Sequence, residues 1–240
     1  MFSIYIINQE HRTDRREHMI DLMSRLNIQS YVFVVPIQVV TPVSKASKSQ
    51  ESLFRTVQAI LQHHKGAKTH ALILEDDIDV NPALSIQQQD IMTHVANTCE
   101  GLPNDWDAFK LEICYNICFL SKDISKHVKK TFSSVCAGAN IYNVNRIESI
   151  CDCINAYKPK VIDYAIDRCK PKLNIYYHTP PVFVQFHRFG SDIEGSIKYN
   201  PDSAKQYKSE CSEIGKWVIC ILIITVAIFV LYKVCFTKSK

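Results

Sequence analysis

ALILEDDIDV, residues 71–80, places four apolar residues directly before three carboxylates. A short run of branched apolar side chains reads as a strand buried on both faces, the kind found in parallel sheets covered by helices. In open sheets of that type, ligands sit outside the carboxyl ends of the strands. Glu75, Asp76 and Asp77 stand at such an end, with Asp79 close behind. Four carboxylates within five residues repel one another unless a cation lies among them. Hard oxygen donors suit Mg²⁺ or Mn²⁺, which bind one or two carboxylates together with substrate phosphates. The other reading is a solvated acidic turn in which Asp79 or Asn81 caps the next helix. Spacing alone leaves both open.

The flanks repeat the alternation of strand and helix. Ser3–Asn8 reads as a buried strand. Asp14 then opens a helix with Met19, Leu22, Met23 and Leu26 on one face. Tyr31–Val43 is β-rich but broken by Pro36 and Pro42, and Ser44–Ser52 reads as a polar loop. A second helix carries Leu53, Phe54, Val57, Ile60 and Leu61 and stops near Gly66. Beyond the acidic motif the pattern predicts a helix over 86–98 and strands at 108–113 and 137–144. Helices at 146–156 and 161–169 follow, then extended chain through Gln185. This order predicts an α/β domain with a mostly parallel sheet. No internal repeat interrupts it.

Residues 217–236, WVICILIITVAIFVLYKVCF, hold 18 hydrophobic side chains in 20. As a helix they rise about 30 Å, the thickness of a bilayer's hydrocarbon core. Trp217 and Tyr232 fall near the two interfaces, and Lys233 can snorkel. The expected layout is therefore a domain over 1–196, a linker over 197–216, a transmembrane helix over 217–236 and a short basic tail, 237–240. No leader peptide is visible at the start, so a single-pass tail anchor with a cytosolic N-terminal domain is expected. The bilayer would be a viral or host endomembrane. The chain has no Asn-x-Ser/Thr acceptor, which agrees with a cytosolic domain.

The anchor also explains the charge. The net +4 falls to about +1 without Lys233, Lys238 and Lys240, leaving 25 basic against 24 acidic side chains in residues 1–216. That balance excludes a dedicated nucleic-acid binder, which needs a basic excess. The ten cysteines show no metal-ligand spacing beyond Cys114-x3-Cys118, and buried reduced thiols are expected.

Several motifs in order resemble glycosyltransferase family 25, which includes lipopolysaccharide sugar transferases and collagen galactosyltransferases. Ser3–Ile28 resembles the family's opening, a strand ending in Asn followed by Arg12-Thr13-Asp14-Arg15 at a helix start. Ala71–Val80 resembles its strand and acidic metal motif. Trp106-Asp107, Ala137–Tyr142, Ile162-Asp163-Tyr164, Thr179–Gln185 and Ser191-Asp192-Ile193 resemble later family segments. The resemblance spans about residues 2–196.

It implies a GT-A nucleotide-sugar fold, a nucleotide diphosphate sugar donor, a divalent Mn²⁺ or Mg²⁺ and a hydroxyl acceptor on protein, glycan or lipid. On this reading Asn8, Arg12, Arg15 and Asp76 hold the nucleotide sugar, since guanidinium suits diphosphate. Glu75, Asp77 and His187 ligate the metal. Asp163 and Asp167, four residues apart on one helical face, offer a general base, or else a helix cap and a surface cluster.

Two family features are missing. A glycine-rich segment before the second helix is replaced by SKSQESLF (Ser47–Phe54), with Leu53 where a His is expected. Val34–Val40 replaces a small-residue segment after the second strand. Glycine permits close backbone approach to a ligand. A second function is therefore carried forward, a degenerate transferase fold serving as a membrane-anchored interaction module.

Overall fold

The computed structural model describes residues 2–113, 120–133, 135–158, 160–185, 217, 220–226 and 228. Strand β1 (Phe2–Ile7) is followed by α1 (Thr13–Arg25), β2 (Val32–Val34), α2 (Lys48–His64) and β3 (His70–Glu75). A short β4 (Ile78–Val80) leads through a 3₁₀ turn to α3 (Ile91–Glu100) and β5 (Ala108–Lys110). A hairpin, β6 (Lys122–Ser125) and β7 (Val128–Lys130), precedes β8 (Ala139–Tyr142). Then come α4 (Ile147–Asn155), α5 (Ile162–Arg168), β9 (Ile175–His178) and β10 (Phe183–Gln185).

Eight strands form one sheet in the order β2-β1-β3-β8-β5-β9-β7-β6. Its β2-β1-β3 part is parallel, and β5 and β9 are also parallel. β8 and β7 run against their neighbours, so six of the eight strands point one way. The expected mixed α/β architecture with a mostly parallel sheet is present.

Helices cover both faces because successive side chains of a strand point to opposite sides. Ile4 and Ile6 of β1, Leu72 and Leu74 of β3 and Phe109 of β5 pack with Met19, Leu22 and Met23 of α1 and Val95 of α3. Ile7, Ala71, Ile73 and Ala108 face the other way, onto Phe54, Val57 and Leu61 of α2 and the apolar sides of α4 and α5. Placing Ala108 on the α2–α4–α5 face assigns Lys110 and Glu112 to that face as well. This alternation brings two charged residues into the interior.

Several expectations need correction. Of Tyr31–Val43 only three residues form a strand, since Pro36 lacks the amide that would extend the ladder. Ser44–Ser52 is not all loop. Ser47 caps α2, and its hydroxyl and the Gln50 side chain form a reciprocal capping box, so the helix starts at Lys48. Residues 78–80 pair antiparallel with β10 instead of capping a helix, and Asp79 bonds Arg25 and the Val80 amide.

The cysteines are not all reduced either. Cys153 and Cys169 are joined across α4 and α5, Cα to Cα 5.9 Å, and Cys136 is also disulfide-bonded. Cys99 and Cys151 are free and buried.

Within the expected transmembrane run, Trp217, Cys220–Val226 and Ile228 are helical and exposed. Among the described residues no helix is long and apolar enough to cross a membrane. The rest of the span, the linker and the basic tail lie outside the described residues.

Candidate functional site

The parallel strands β2, β1 and β3 end on one edge of the sheet, and a cleft opens over those ends. Its larger part, about 540 Å³, is lined by Gln9, Glu10, His11, Pro36, Lys48 and Ser49, among others. A smaller part, about 110 Å³, shares Gln9, Pro36, Ser49 and Ser52 and reaches Arg15, Glu75, Asp76 and Asp77. The start of α2 thus forms a wall of the cleft through Ser49 and Ser52, within the segment that lacks the expected glycines.

Asp76 is fully engaged by neighbours from the first strand and helix. Asn8 Nδ2 donates to its Oδ2 at 2.8 Å, and Arg15 Nη1 donates to its Oδ1 at 2.7 Å. Arg15 Nη1 also lies 3.6 Å from Asp77 Oδ2. Asn8, Arg15 and Asp76 therefore form one buried unit at the cleft floor. Arg12 stands at the start of α1, and its guanidinium holds Asp14 through two hydrogen bonds, at 3.0 and 2.9 Å.

A second group of charges lies behind the acidic motif. Burial pushes Glu75 well above the usual carboxylate range, and the charges of Asp77, Asp163, Glu112 and Asp76 push it the same way. Glu112 is raised to about 8, by burial first and then by Asp77, with Lys110 opposing. Asp163, at the first turn of α5, is raised by burial, again against Lys110. Lys110 itself is held down to about 8 by burial, although Asp163 and Glu112 draw it upward. Both oxygens of Glu112, and Asp163 Oδ1, are buried without a hydrogen bond of normal geometry among the described residues.

The structure therefore unites Glu75, Asp77 and Asp163, expected from sequence, with Lys110 and Glu112, which were not. The overlooked signal was the Lys-x-Glu alternation in an otherwise apolar strand, which puts both charges on one face. Asp167 pairs with Lys170 at 2.9 Å and accepts from the Ser133 hydroxyl at 3.3 Å, and its charge also draws Lys110 upward. His187 lies outside the described residues. Trp106-Asp107 proves to be scaffold, since Asp107 binds Arg146 and the Asn174 amide.

Five carboxylates face two cations in this cluster. Orphaned, buried carboxylate oxygens of this kind fit a hard divalent ion, which would compensate the surplus negative charge.

No family model matches the chain, and no curated protein sequence matches it. Among solved structures, one resembling it is a glycosyltransferase involved in glycosylation of the major capsid of PBCV-1. It is 13% identical over 77% of this chain and 92% of that one, with a TM-score of 0.44. A Drosophila β1,4-galactosyltransferase 7 in complex with manganese, UDP-Gal and xylobiose is 8% identical over 87% and 81%, with a TM-score of 0.40. A UDP-glucose pyrophosphorylase complexed with UDP-glucose is 9% identical over 73% and 72%, with a TM-score of 0.43. The likeness at these scores is partial, and the reading of the site rests on its own residues.

Proposed function

We propose that the chain is a metal-dependent glycosyltransferase that moves a sugar from a nucleotide diphosphate sugar to a hydroxyl acceptor. The observation that carries this reading is the cleft over β2-β1-β3, which ends on Glu75 and Asp77 with Glu112 and Asp163 behind them. A nucleoside would lie along Gln9, Pro36 and Ser49, with its diphosphate toward the carboxylates. Asp77 and Glu75 would hold Mn²⁺ or Mg²⁺. The ion, when bound, neutralises charge on the departing nucleotide.

In this reading Asn8 and Arg15 act as positioning residues: they fix Asp76 and so the turn carrying Asp77. Arg12, which follows the cleft-lining Glu10 and His11 at the start of α1, is proposed to meet the phosphates. Asp163 is proposed as the group that takes the acceptor proton, since a carboxylate with a raised pKa is a better base near neutral pH. The run 217–236 is proposed to anchor the domain to a bilayer.

The test is nucleotide diphosphate release by the full chain in detergent, with Mn²⁺ and a panel of uridine and guanosine diphosphate sugars. Release is expected in the wild type and its loss in Asp77→Ala. No release from any donor, or undiminished release in Asp77→Ala, would overturn the proposal.

A second reading, a non-catalytic interaction module, draws on Arg15. Its guanidinium already supplies a positive charge beside both Asp76 and Asp77. If Mn²⁺ with uridine or guanosine diphosphate clearly raises the melting temperature, that reading fails.

A further inference from the structure

On the opposite face of the sheet from the carboxylates, three imidazoles converge. His94 lies on α3, His127 in the β6–β7 turn and His178 at the end of β9. One ring nitrogen from each can be chosen so that all three lie within 4.8 Å of one another. His94 Nε2 and His178 Nε2 are 2.9 Å apart. Bonds of about 2.0–2.1 Å, the Zn–N distance, set tetrahedral ligand atoms about 3.3–3.4 Å apart, so the two nitrogens need only part by about 0.4 Å to share an ion.

The backbone sets this geometry. Val128 pairs with His178 across β7 and β9, and the Thr179 amide donates to the His127 carbonyl at 3.0 Å. Hairpin turn and strand end are therefore locked side by side. The His127 and His178 rings stack at 11°, and His94 stands edge-on to both.

The hydrogen bonds prepare the ligand atoms. A carbonyl only accepts, so the contact between His178 Nδ1 and Pro180 O puts the ring proton on Nδ1. The lone pair of His178 is left on Nε2, facing His94. Metal-binding histidines are oriented in this way, through a carbonyl on the far nitrogen. His127 Nδ1 is buried and has no hydrogen-bond partner among the described residues.

Beside the three rings is a cavity of about 270 Å³, also lined by Leu84, Ser85, Lys126 and Pro180. Neutral imidazoles select a borderline transition metal over Mg²⁺ or Ca²⁺, and three protein ligands beside an open cavity leave a fourth position for water or an anion.

We propose that His94, His127 and His178 form a transition-metal site of the Zn²⁺ class, separate from the carboxylate cleft, that ties the β6–β7 hairpin to α3 and β9. The test is metal uptake by the full chain, stripped with chelator and titrated with Zn²⁺ or Co²⁺. With excess Mg²⁺ present to occupy the carboxylate cleft, one equivalent of Zn²⁺ is expected, and Co²⁺ should give the intense visible bands of a tetrahedral nitrogen site.

His94→Gln and His127→Gln should each weaken binding at least 100-fold, while their melting temperatures in chelator stay at the wild-type value. Asp77→Asn should leave uptake unchanged, so failure of the carboxylate site and failure of this one are distinguishable. No uptake by the wild type, undiminished uptake in both histidine variants, or thiolate charge-transfer bands in the Co²⁺ spectrum would overturn the assignment.

Discussion

Arg15 Nη1 lies 2.7 Å from Asp76 Oδ1 with both side chains buried, so the first helix holds the acidic turn in place from beneath. Removing one partner of such a pair leaves an uncompensated charge in the interior. Arg15→Ala is expected to cost about 3–5 kcal/mol in urea unfolding. Asn8→Ala, which removes the donor to Asp76 Oδ2 and to the Arg12 carbonyl, is expected to cost about 1–3 kcal/mol. If Arg15→Ala unfolds within about 0.5 kcal/mol of wild type, the size expected of an ordinary surface change, the pair does not support the turn.

Gly138 sets the position of the Glu112 carboxylate. Its carbonyl accepts from the Glu75 amide at 2.8 Å. A Cβ added there would overlap Glu112 Oε2 and stand 3.2 Å from Ile78 Cγ2. Gly138→Ala must displace Glu112 and is expected to cost about 1–3 kcal/mol, as overpacking does. Glu112→Ala removes the obstructing atoms, so the double variant should be more stable than the sum of the single effects implies. Strict additivity in this cycle would show that the carboxylate does not occupy that space.

The acidic motif and the first strand–helix–strand unit were legible because their signals are local. Met19, Leu22 and Met23 follow the helical period, and Ala71–Leu74 is a continuous apolar run. The start of α2 was missed although its Ser47–Gln50 capping box is also local, because the polar residues around it masked the helix. Lys110 and Glu112 were read as part of a strand but not as site residues, since nothing in sequence says which face meets the acidic turn. His94, His127 and His178 are spread over 85 positions and meet only because β7 pairs with β9 and α3 packs on that face. No spacing rule could have joined them.

The Cys153–Cys169 link closes a loop of sequence separation 16 across α4 and α5. Crosslinks of that loop size stabilise by about 3 kcal/mol, mainly through the unfolded chain. Cystines persist in oxidising compartments and are rare in the cytosol. Non-reducing peptide mapping of freshly isolated chain should show the 153–169 pair, and Cys153→Ser should lower unfolding stability by that amount. Finding both thiols free in freshly isolated protein would show that the link does not form in the cell.

Stability should fall with rising pH between about 6.5 and 8 in the metal-free chain. Glu112 keeps its proton in the folded state up to about 8, through burial and the charge of Asp77, whereas the unfolded chain releases it near the ordinary glutamate value. A raised folded pKa gives stability that is complete below the unfolded value and is lost as pH rises through the folded one. The slope expected from one such group is at most about 1.4 kcal/mol per pH unit. His70, His94 and His178 have lowered values and act only as pH falls below about 6.5, so they do not contribute in this window. Lys110, lowered to about 8, contributes stability that is lost as pH falls from the alkaline side toward 8, and it is charged in both states below that. A divalent ion takes the place of the proton on these carboxylates, so the rise in melting temperature on adding Mn²⁺ should grow across the same interval. Glu112→Gln should flatten the metal-free slope. An unchanged slope in Glu112→Gln, with the fold intact by circular dichroism, would remove Glu112 from the cluster that titrates.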